Sequence, residues 1–518
     1  MTTVRDATIA LLRQCGMTTV FGNPGSTELP MFRDFPADFR YILGLQESVV
    51  VGMADGYAQA TGTAALVNLH SAAGVGHALG NLFTAHKNQT PLVVTAGQQA
   101  RRILPYEPFL FAERAAEFPR PYVKWAIEPA RAEDVPGAIL RAWIVAMTPP
   151  RGVTFVSVPV DDWDQLCEPV AFRTLTGHNP GDPAKLAEVA HALAAARNPA
   201  LVVGAGVARD GAWDAVVTLA ERHRAPVWVL PLSARASFPE DHPLFAGFLT
   251  AGRSAIVEAL AGHDLVLALG GPLSLYHFES GGPHAPDGAR VVLIGDNPVH
   301  GEWAPVGEAI VADTRAAVTT LLAGPTPRDR ATPAPRTLSA APDPAVLTAE
   351  LLLSRIAALR PADAVLVEES PSTRAAMHDH LPILHADGFH TTASGGLGHG
   401  MPAAVGIALA RPETRVIALI GDGSSMYAIQ ALWSAAQLGA KVSFVIVNNA
   451  RYEALHSFGR MFGLQRLVGT QLPGLDFVAL AEGQGVRARL VASPHELDAA
   501  LGWSFDAPGP TLLDVRID

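Results

Sequence analysis

The stretch RVIALIGDGSSMYAIQALWSAAQLGAKVSFVIVNNARY, residues 415–452, contains two apolar strands joined by a helix. The first strand ends in Gly421-Asp422-Gly423, the helix covers YAIQALWSAAQLG, and the second strand ends in Asn448-Asn449. Apolar strands that alternate with helices are typical of a parallel sheet covered on both faces. The carboxyl ends of such strands share one edge, where ligands bind. We therefore expect Asp422 and Asn449 to converge.

The same alternation of strand and helix recurs in three units along the chain. The first, residues 1–170, contains the apolar runs TTVFG, FRYILGL, TAALVNLH, PLVVTAG and GVTFVSVP. The second covers residues 183–325, and the third covers residues 346–518 after the Pro-, Ala- and Thr-rich linker 324–345. The sequence therefore predicts an α/β protein with three doubly wound, parallel-sheet domains.

Composition excludes several classes of protein. The chain has 518 residues, of which 49% are hydrophobic and 17% charged, and this profile is globular. A net charge of −11 argues against a nucleic-acid partner, which needs a basic face. The two cysteines have no CxxC spacing, so neither a disulfide scaffold nor a zinc site is expected. The apolar stretch near the N-terminus is too short and too interrupted for a signal peptide, and no run reaches 18 apolar residues. We therefore expect no signal peptide, no membrane partner and a cytoplasmic enzyme.

The Gly421-Asp422-Gly423 turn carries the clearest chemical signal. Alone, such a turn is more often purely structural. Its pairing with Asn449 on the next strand reverses those odds, because carboxylate and amide oxygens are suited to magnesium. The glycines allow backbone amides to approach phosphate oxygens, and a cation would offset the charge of a diphosphate held by an acidic protein.

Three polar residues follow three strands of the first unit. They are Ser26 in NPGS, Glu47 after FRYILGLQ, and His70 after TAALVNL. Each has a structural alternative: Ser26 as a helix N-cap, Glu47 as a carboxylate that complements a helix dipole, and His70 as a core histidine. Purely structural roles are a less convincing explanation when all three polar residues lie at the same edge of the sheet, and this favours a functional site there.

Together these motifs resemble the thiamine-diphosphate-dependent decarboxylases, and among them the benzoylformate decarboxylases. The matches extend over nearly the whole chain and include TVFGNPGSTELPMFRDFPADFRYILGLQE, NLHSAAG, LYHF, GGLGHGMPAAVG, VIALIGDGS and PGLDF. The resemblance implies a pyrimidine-binding, a middle and a diphosphate-binding domain. It also implies thiamine diphosphate and Mg²⁺ as cofactors, a small 2-keto acid substrate from the mandelate pathway, and a homotetramer. In such a dimer of dimers, the cofactor lies at the dimer interface.

The resemblance also assigns roles to individual residues. Glu47 matches the glutamate that hydrogen-bonds the pyrimidine N1′ and promotes formation of the reactive ylide. Leu397 matches the apolar residue beneath the bent cofactor, and Gly395 would offer its carbonyl to the 4′-amino group. The remaining assignments are Ser372, Gly423 and Ser424 to the diphosphate, Asp422, Asn449 and the carbonyl of Arg451 to magnesium, and Ser26, His70 and His277 to the substrate.

Several positions depart from the family pattern. Thr391 stands where a large aromatic is expected, and the segment ARYEALHS, residues 450–457, replaces GTYGALRW. In that segment, Glu453 adds an acid near the diphosphate edge. His77 replaces an expected Asn. These changes leave the cofactor residues intact but alter the wall that would contact the substrate.

Other functions on the same scaffold stay open. A carboligase, a 2-hydroxyacyl lyase or an acetolactate-type synthase would share Glu47 and the magnesium motif, and a paralogue could bind the cofactor without chemistry. The presence of Ser26, His70 and His277 favours decarboxylation of an aromatic 2-keto acid. Gly204-Ala205-Gly206 suggests a nucleotide site, but GAGVAR lacks the third glycine of GxGxxG. An empty middle domain is therefore favoured.

Overall fold

A computed structural model describes residues 1–517. It contains three parallel sheets flanked by helices, together with one short antiparallel pair. The predicted fold class is confirmed. The chain divides into two compact units: the first holds residues 1–176, 344–373 and 394–518, and the second holds residues 177–343 and 374–393. The sequence did not indicate that residues 374–393 would cluster with the middle of the chain.

The N-terminal part of the first unit is built on a sheet with the strand order β3-β2-β4-β5-β7-β6. All pairings in this sheet are parallel, and the strands β4, β5 and β7 are completely buried. The elements are β1 (Thr2–Thr3), α1 (Val4–Gln14), β2 (Thr19–Gly22), β3 (Arg40–Leu43), α2 (Glu47–Thr61), β4 (Ala65–Leu69), α3 (Ser71–Lys87), β5 (Leu92–Gln98), β6 (Trp125–Ile127), α4 (Val135–Met147), β7 (Val153–Pro159) and β8 (Leu166–Cys167).

The second unit contains a parallel sheet with the strand order β11-β10-β9-β12-β13-β14. Its elements are α5 (Pro183–Ala195), β9 (Pro199–Val203), α6 (Ala205–Arg209), α7 (Trp213–His223), β10 (Val227–Val229), β11 (Phe245–Phe248), α8 (Arg253–Ala259), β12 (Leu265–Leu269), β13 (Arg290–Gly295), α9 (Pro298–Glu302), β14 (Glu308–Val311) and α10 (Thr314–Leu322). A Cβ on Gly206 would lie 2.5 Å from the Cα of Gly270. Close backbone packing therefore accounts for a glycine of the GAGVAR motif.

The C-terminal part of the first unit contains the parallel strand order β15-β17-β18-β20-β19. Numbered in chain order, with α12 and β16 belonging to the second unit, the elements are α11 (Ala349–Leu359), β15 (Val365–Glu369), α12 (Arg374–His380), β16 (Phe389–His390), α13 (Gly400–Ala410), β17 (Val416–Gly421), α14 (Asp422–Ser425), α15 (Ala431–Leu438), β18 (Val442–Asn448), α16 (Glu453–Met461), α17 (Phe477–Glu482), β19 (Arg487–Val491), α18 (Pro494–Phe505) and β20 (Thr511–Arg516).

Helices α2 and α13 join the two sheets of the first unit. Their backbones approach so closely that a Cβ on Gly56 would collide with the carbonyl of Ala403, and one on Gly406 would collide with that of Met53. Residues of α2, α13 and both sheets form one apolar core. Over residues 1–517, no helix is both long enough and apolar enough to cross a bilayer.

Candidate active site

Three predicted residues lie at the carboxyl edge of the N-terminal sheet, where the order β3-β2-β4 makes their strands neighbours. Ser26 is exposed in the loop after β2, Glu47 is the first residue of α2 after β3, and His70 directly follows β4. Ser26 is not a helix N-cap, because the short helix Leu29–Phe32 has Glu28 in that position. Within residues 1–517, Ser26 makes no side-chain hydrogen bond, so its hydroxyl is available to a ligand.

His70 is held by a residue that the sequence reading missed. The Nδ1 atom of His70 lies 2.8 Å from Oε2 of Glu28 and 3.2 Å from the Thr27 hydroxyl. The Glu28 side chain is 1% exposed and also accepts the backbone amides of Gly25 and Gly97, both at 2.9 Å. A carboxylate with so many donors is fixed in one orientation, and it therefore orients the imidazole. Nothing in the local sequence indicates this role, because Glu28 and His70 are 42 positions apart.

Glu47 has an unusual neighbour on α3. The Nδ1 atom of His77 lies 3.1 Å from its Oε2 atom. The Glu47 side chain is 12% exposed, whereas that of His77 is 63% exposed. Glu47 also occupies the first turn of α2, where a carboxylate complements the helix dipole. Glu47 can therefore stabilise the start of α2 and at the same time present its carboxylate to a ligand.

Asp422 and Asn449 converge, as the parallel sheet predicts. The backbone amides of Asn449 and Arg451 both donate to Oδ2 of Asp422 at 3.2 Å, and the amide of Gly423 donates to Oδ1 at 2.7 Å. The amide oxygen of Asn449 accepts from the backbone of Arg451 at 3.2 Å. Burial raises the pKa of Asp422 against these hydrogen bonds. A divalent cation here would favour the ionised carboxylate.

The donors in this loop fit magnesium bound to a diphosphate. Asp422 and Asn449 supply hard oxygens at the end of adjacent strands, and residues 1–517 contain no cluster of three His, Cys, Asp or Glu side chains that would suit a transition metal instead. A Cβ on Gly423 would collide with the ring of Tyr452, so any side chain at this position would have to displace that ring or the backbone. Ser424 is buried beside it, and Ser372 is exposed in the turn after β15.

The segment that contains Gly395 and Leu397 is fixed on two sides. The buried carboxylate of Glu369 accepts the backbone amides of Gly398, His399 and Gly400 at 2.6–2.8 Å. Burial raises the pKa of Glu369 despite those donors. From α3, the side-chain amide of Asn81 donates to the carbonyl of Gly398 at 3.1 Å. Gly395 has a φ of 70°, which glycine adopts without strain.

Two predicted positions lie in the second unit. His277 is exposed in the loop after β12, and its backbone amide donates to the carbonyl of Ala251 at 2.8 Å. Thr391 is 2% exposed, and its hydroxyl accepts from Arg374 at 3.0 Å. A buried hydroxyl bonded to a guanidinium replaces the expected aromatic at this position.

Glu453, in the divergent segment 450–457, forms two ion pairs. Glu453 is the first residue of α16 and pairs with Arg451 at 2.7 Å and with Arg460 at 3.3 Å. Although burial opposes it, hydrogen bonds from both arginines lower the pKa of Glu453. The added acid is therefore neutralised locally.

Comparisons with known proteins agree with this geometry. Three domain families match, described as the N-terminal TPP binding domain, the central domain and the C-terminal TPP binding domain of thiamine pyrophosphate enzymes. They match residues 2–113, 186–321 and 372–515, respectively.

Individual relatives match along their whole length. The chain is 44% identical to a benzoylformate decarboxylase of Pseudomonas aeruginosa over 99% of both proteins. Among solved structures, a benzoylformate decarboxylase from Polynucleobacter necessarius is 39% identical with a TM-score of 0.98. A 4-hydroxybenzoylformate decarboxylase from Rhodococcus jostii is 42% identical with a TM-score of 0.97. Each of these two similarities covers 100% of this chain and 99% of the other.

Proposed function

The chain belongs to the thiamine pyrophosphate enzyme family, and on that premise we propose that it decarboxylates an aromatic 2-keto acid without oxidation. Benzoylformate, converted to benzaldehyde and carbon dioxide, is the proposed substrate. The identity of 44% to a benzoylformate decarboxylase over 99% of the chain is the observation that carries this proposal. The presence of the family's motifs at both sheet edges of the first unit supports it.

Thiamine diphosphate supplies the electron sink that accepts the electron pair when carbon dioxide leaves. Glu47 would hydrogen-bond the pyrimidine N1′ and exchange a proton with it. Leu397 would support the bent shape of the cofactor, and the carbonyl of Gly395 would orient the 4′-amino group. Because Glu369 and Asn81 hold the segment of Leu397, this support is rigid.

Magnesium would be held by the side chains of Asp422 and Asn449 and the carbonyl of Arg451. Ser372, Gly423 and Ser424 would contact the diphosphate. The convergence of Asp422 and Asn449 supports this assignment. The cation would neutralise the diphosphate in a protein whose net charge is −11.

Three side chains would handle the substrate. Ser26 would hold the keto-acid carboxylate through its unengaged hydroxyl. His70 and His277 would transfer protons near neutral pH. One of them would donate a proton to the carbonyl oxygen of the substrate and act in the proton transfer that follows, and the other would act during product release. Each such contribution is typically worth about 10²–10⁴-fold in rate. The hydrogen bonds of Glu28 would fix the orientation in which His70 acts.

Two alternatives on this scaffold are less well supported. A carboligase, 2-hydroxyacyl lyase or acetolactate-type synthase would keep Glu47 and the magnesium motif but would not need Ser26, His70 and His277 together. A non-catalytic paralogue would have no need of Glu47. We further propose that the chain works in the cytoplasm as a homotetramer with sites at dimer interfaces, and that its functional domains cover residues 1–170, 183–325 and 346–518.

A substrate panel tests the proposal. Purified protein with thiamine diphosphate and Mg²⁺ is assayed for carbon dioxide release from benzoylformate, 4-hydroxybenzoylformate and pyruvate, and for cleavage of benzoin. We expect release from an aromatic keto acid in preference to pyruvate. Benzoin cleavage, or turnover of pyruvate alone, would favour the lyase or synthase. A protein that binds thiamine diphosphate but releases no carbon dioxide from either aromatic acid would contradict the proposal.

The substitution Glu47→Gln tests the activating residue in the same assay. It keeps the size of the side chain but removes the carboxylate, so turnover should be abolished. Glu413→Gln is the matched control, because Glu413 is a 93% exposed carboxylate that pairs with Lys441 on the surface. Turnover of Glu47→Gln at the rate of the unaltered protein would refute the proposed role.

A further inference from the structure

His77 is placed to control the carboxylate of Glu47. The Oε2 atom of Glu47 contacts Nδ1 of His77 at 3.1 Å, whereas Oε1 accepts no hydrogen bond within residues 1–517. Gly74 lies beside the free atom, since a Cβ there would come within 3.3 Å of Oε1. The Oε2 atom of Glu47 therefore contacts His77 on α3, whereas the Oε1 atom lies beside Gly74, where the lack of a side chain leaves space.

We propose that His77 is a positioning residue that donates from Nδ1 to Oε2 of Glu47 and keeps Oε1 available for the pyrimidine of thiamine diphosphate. This inference rests on the proposed role of Glu47. An ionised carboxylate only accepts hydrogen bonds, so the Nδ1 atom must carry the proton. His77 acts through Glu47 and does not touch the cofactor in this scheme.

The expected asparagine could make the same contact. Its side-chain amide can also donate to Oε2 of Glu47, so asparagine at position 77 should keep the carboxylate in the same orientation.

Other titratable groups on the elements around α3 are engaged elsewhere. On α2, Asp55 bonds to His399, which precedes α13. At the end of β4, His70 bonds to Glu28. The last turn of α3 carries two further basic residues, and both contact aromatic rings: His86 lies against Tyr122, and Lys87 lies over Phe83. Thus His77 is the titratable side chain that contacts Glu47.

Binding of thiamine diphosphate is the first test. Isothermal titration at saturating Mg²⁺ compares the unaltered protein with His77→Ala and His77→Asn. Loss of one net hydrogen bond predicts about two- to tenfold weaker binding for His77→Ala, and His77→Asn should restore the affinity. His191→Asn is the control, because His191 is another exposed histidine, on α5. Affinity of His77→Ala equal to that of the unaltered protein would overturn the positioning role.

The second test reads the tautomers directly. Near-ultraviolet circular dichroism is recorded at one fixed pH for the unaltered protein, His77→Ala and His77→Asn, each saturated with thiamine diphosphate and Mg²⁺. We expect a weaker iminopyrimidine signal in His77→Ala and its recovery in His77→Asn. Identical spectra for the unaltered protein and His77→Ala would overturn the inference while leaving the proposed function intact. Failure of the unaltered protein to bind thiamine diphosphate would overturn both.

Discussion

His399 hydrogen-bonds through Nε2 to the carboxylate of Asp55, although the two residues are 344 positions apart. Both side chains are buried, with exposures of 1% and 0%. Asp55 lies on α2, which begins at Glu47, and His399 follows Leu397 by two residues. The pair therefore fixes the helix of the proposed activating glutamate to the segment of the proposed cofactor support.

Removing the charge of Asp55 should destabilise the protein. Asp55→Asn would leave His399 buried beside an amide, and breaking a buried ion pair by altering one partner costs about 3–5 kcal/mol. Urea unfolding monitored by circular dichroism measures this change. Asp134→Asn is the control, because Asp134 forms an exposed pair with Arg131 and should give no measurable change. Equal midpoints for both variants would contradict the importance of the buried pair.

The same pair should make stability depend on pH. Burial opposes ionisation of both groups, but His399 lowers the pKa of Asp55, and Asp55 raises the pKa of His399. The contribution of Asp55 is therefore lost as the pH falls below about 4, and that of His399 is lost as the pH rises above about 6.5. His399→Gln should therefore lower the melting temperature most between about pH 4 and about pH 6.5, where both groups are ionised in the unaltered protein. A difference that is constant from acid to alkaline pH would contradict this.

Glu28→Gln should impair turnover without affecting cofactor binding. The neutral amide would orient His70 less well, because its NH2 group cannot accept the donors that surround Glu28. We expect kcat to fall by about 10²-fold, the scale of a misplaced general acid–base. Thiamine diphosphate affinity should be unchanged, since the change lies beside His70.

A double variant tests whether Glu28 acts through His70. Adding Glu28→Gln to His70→Ala should lower kcat little further, because residues that act as a unit are not additive. Additive losses would mean that Glu28 has an independent role. Thermal unfolding of each variant shows whether the loss of activity is separate from a loss of folded protein.

The sequence predicted features that depend on local pattern. Strand and helix alternation gave the three sheets, and the shared edge of parallel strands gave the convergence of Asp422 with Asn449. Likewise, the positions of Ser26, Glu47 and His70 follow from their location after three strands. Such predictions succeed because a strand's end and its neighbour are set by short-range periodicity and topology.

Features that depend on distant partners were not predicted. The bonds of Asp55 to His399 and of Asn81 to Gly398 join residues more than 300 positions apart. Glu28 was not predicted because its partner His70 is 42 positions away and only the fold brings the two side chains together. His77 was recognised as a departure from the family, but only the packing of α3 against α2 shows that its partner is Glu47.

Gly423→Ala should weaken binding of thiamine diphosphate and Mg²⁺. The new methyl group would collide with the ring of Tyr452, and its next neighbour is a methyl group of Leu472 at 3.1 Å. Overpacking of this kind costs about 1–3 kcal/mol, and the necessary backbone shift would move the adjacent Asp422 away from Asn449. Isothermal titration should therefore show about five- to hundredfold weaker binding.

Two further variants separate this collision from a general effect of alanine. Gly423→Ala combined with Tyr452→Ala should recover part of the lost affinity, because the ring is no longer in the way. Gly502→Ala is the matched control: Gly502 lies in α18, and its added Cβ would meet nothing within 4 Å. That variant should bind as well as the unaltered protein and unfold at the same or a higher temperature, since alanine is the better helix former. If Gly423→Ala also bound as well as the unaltered protein, the close backbone approach at Gly423 would not be a requirement of the cofactor site.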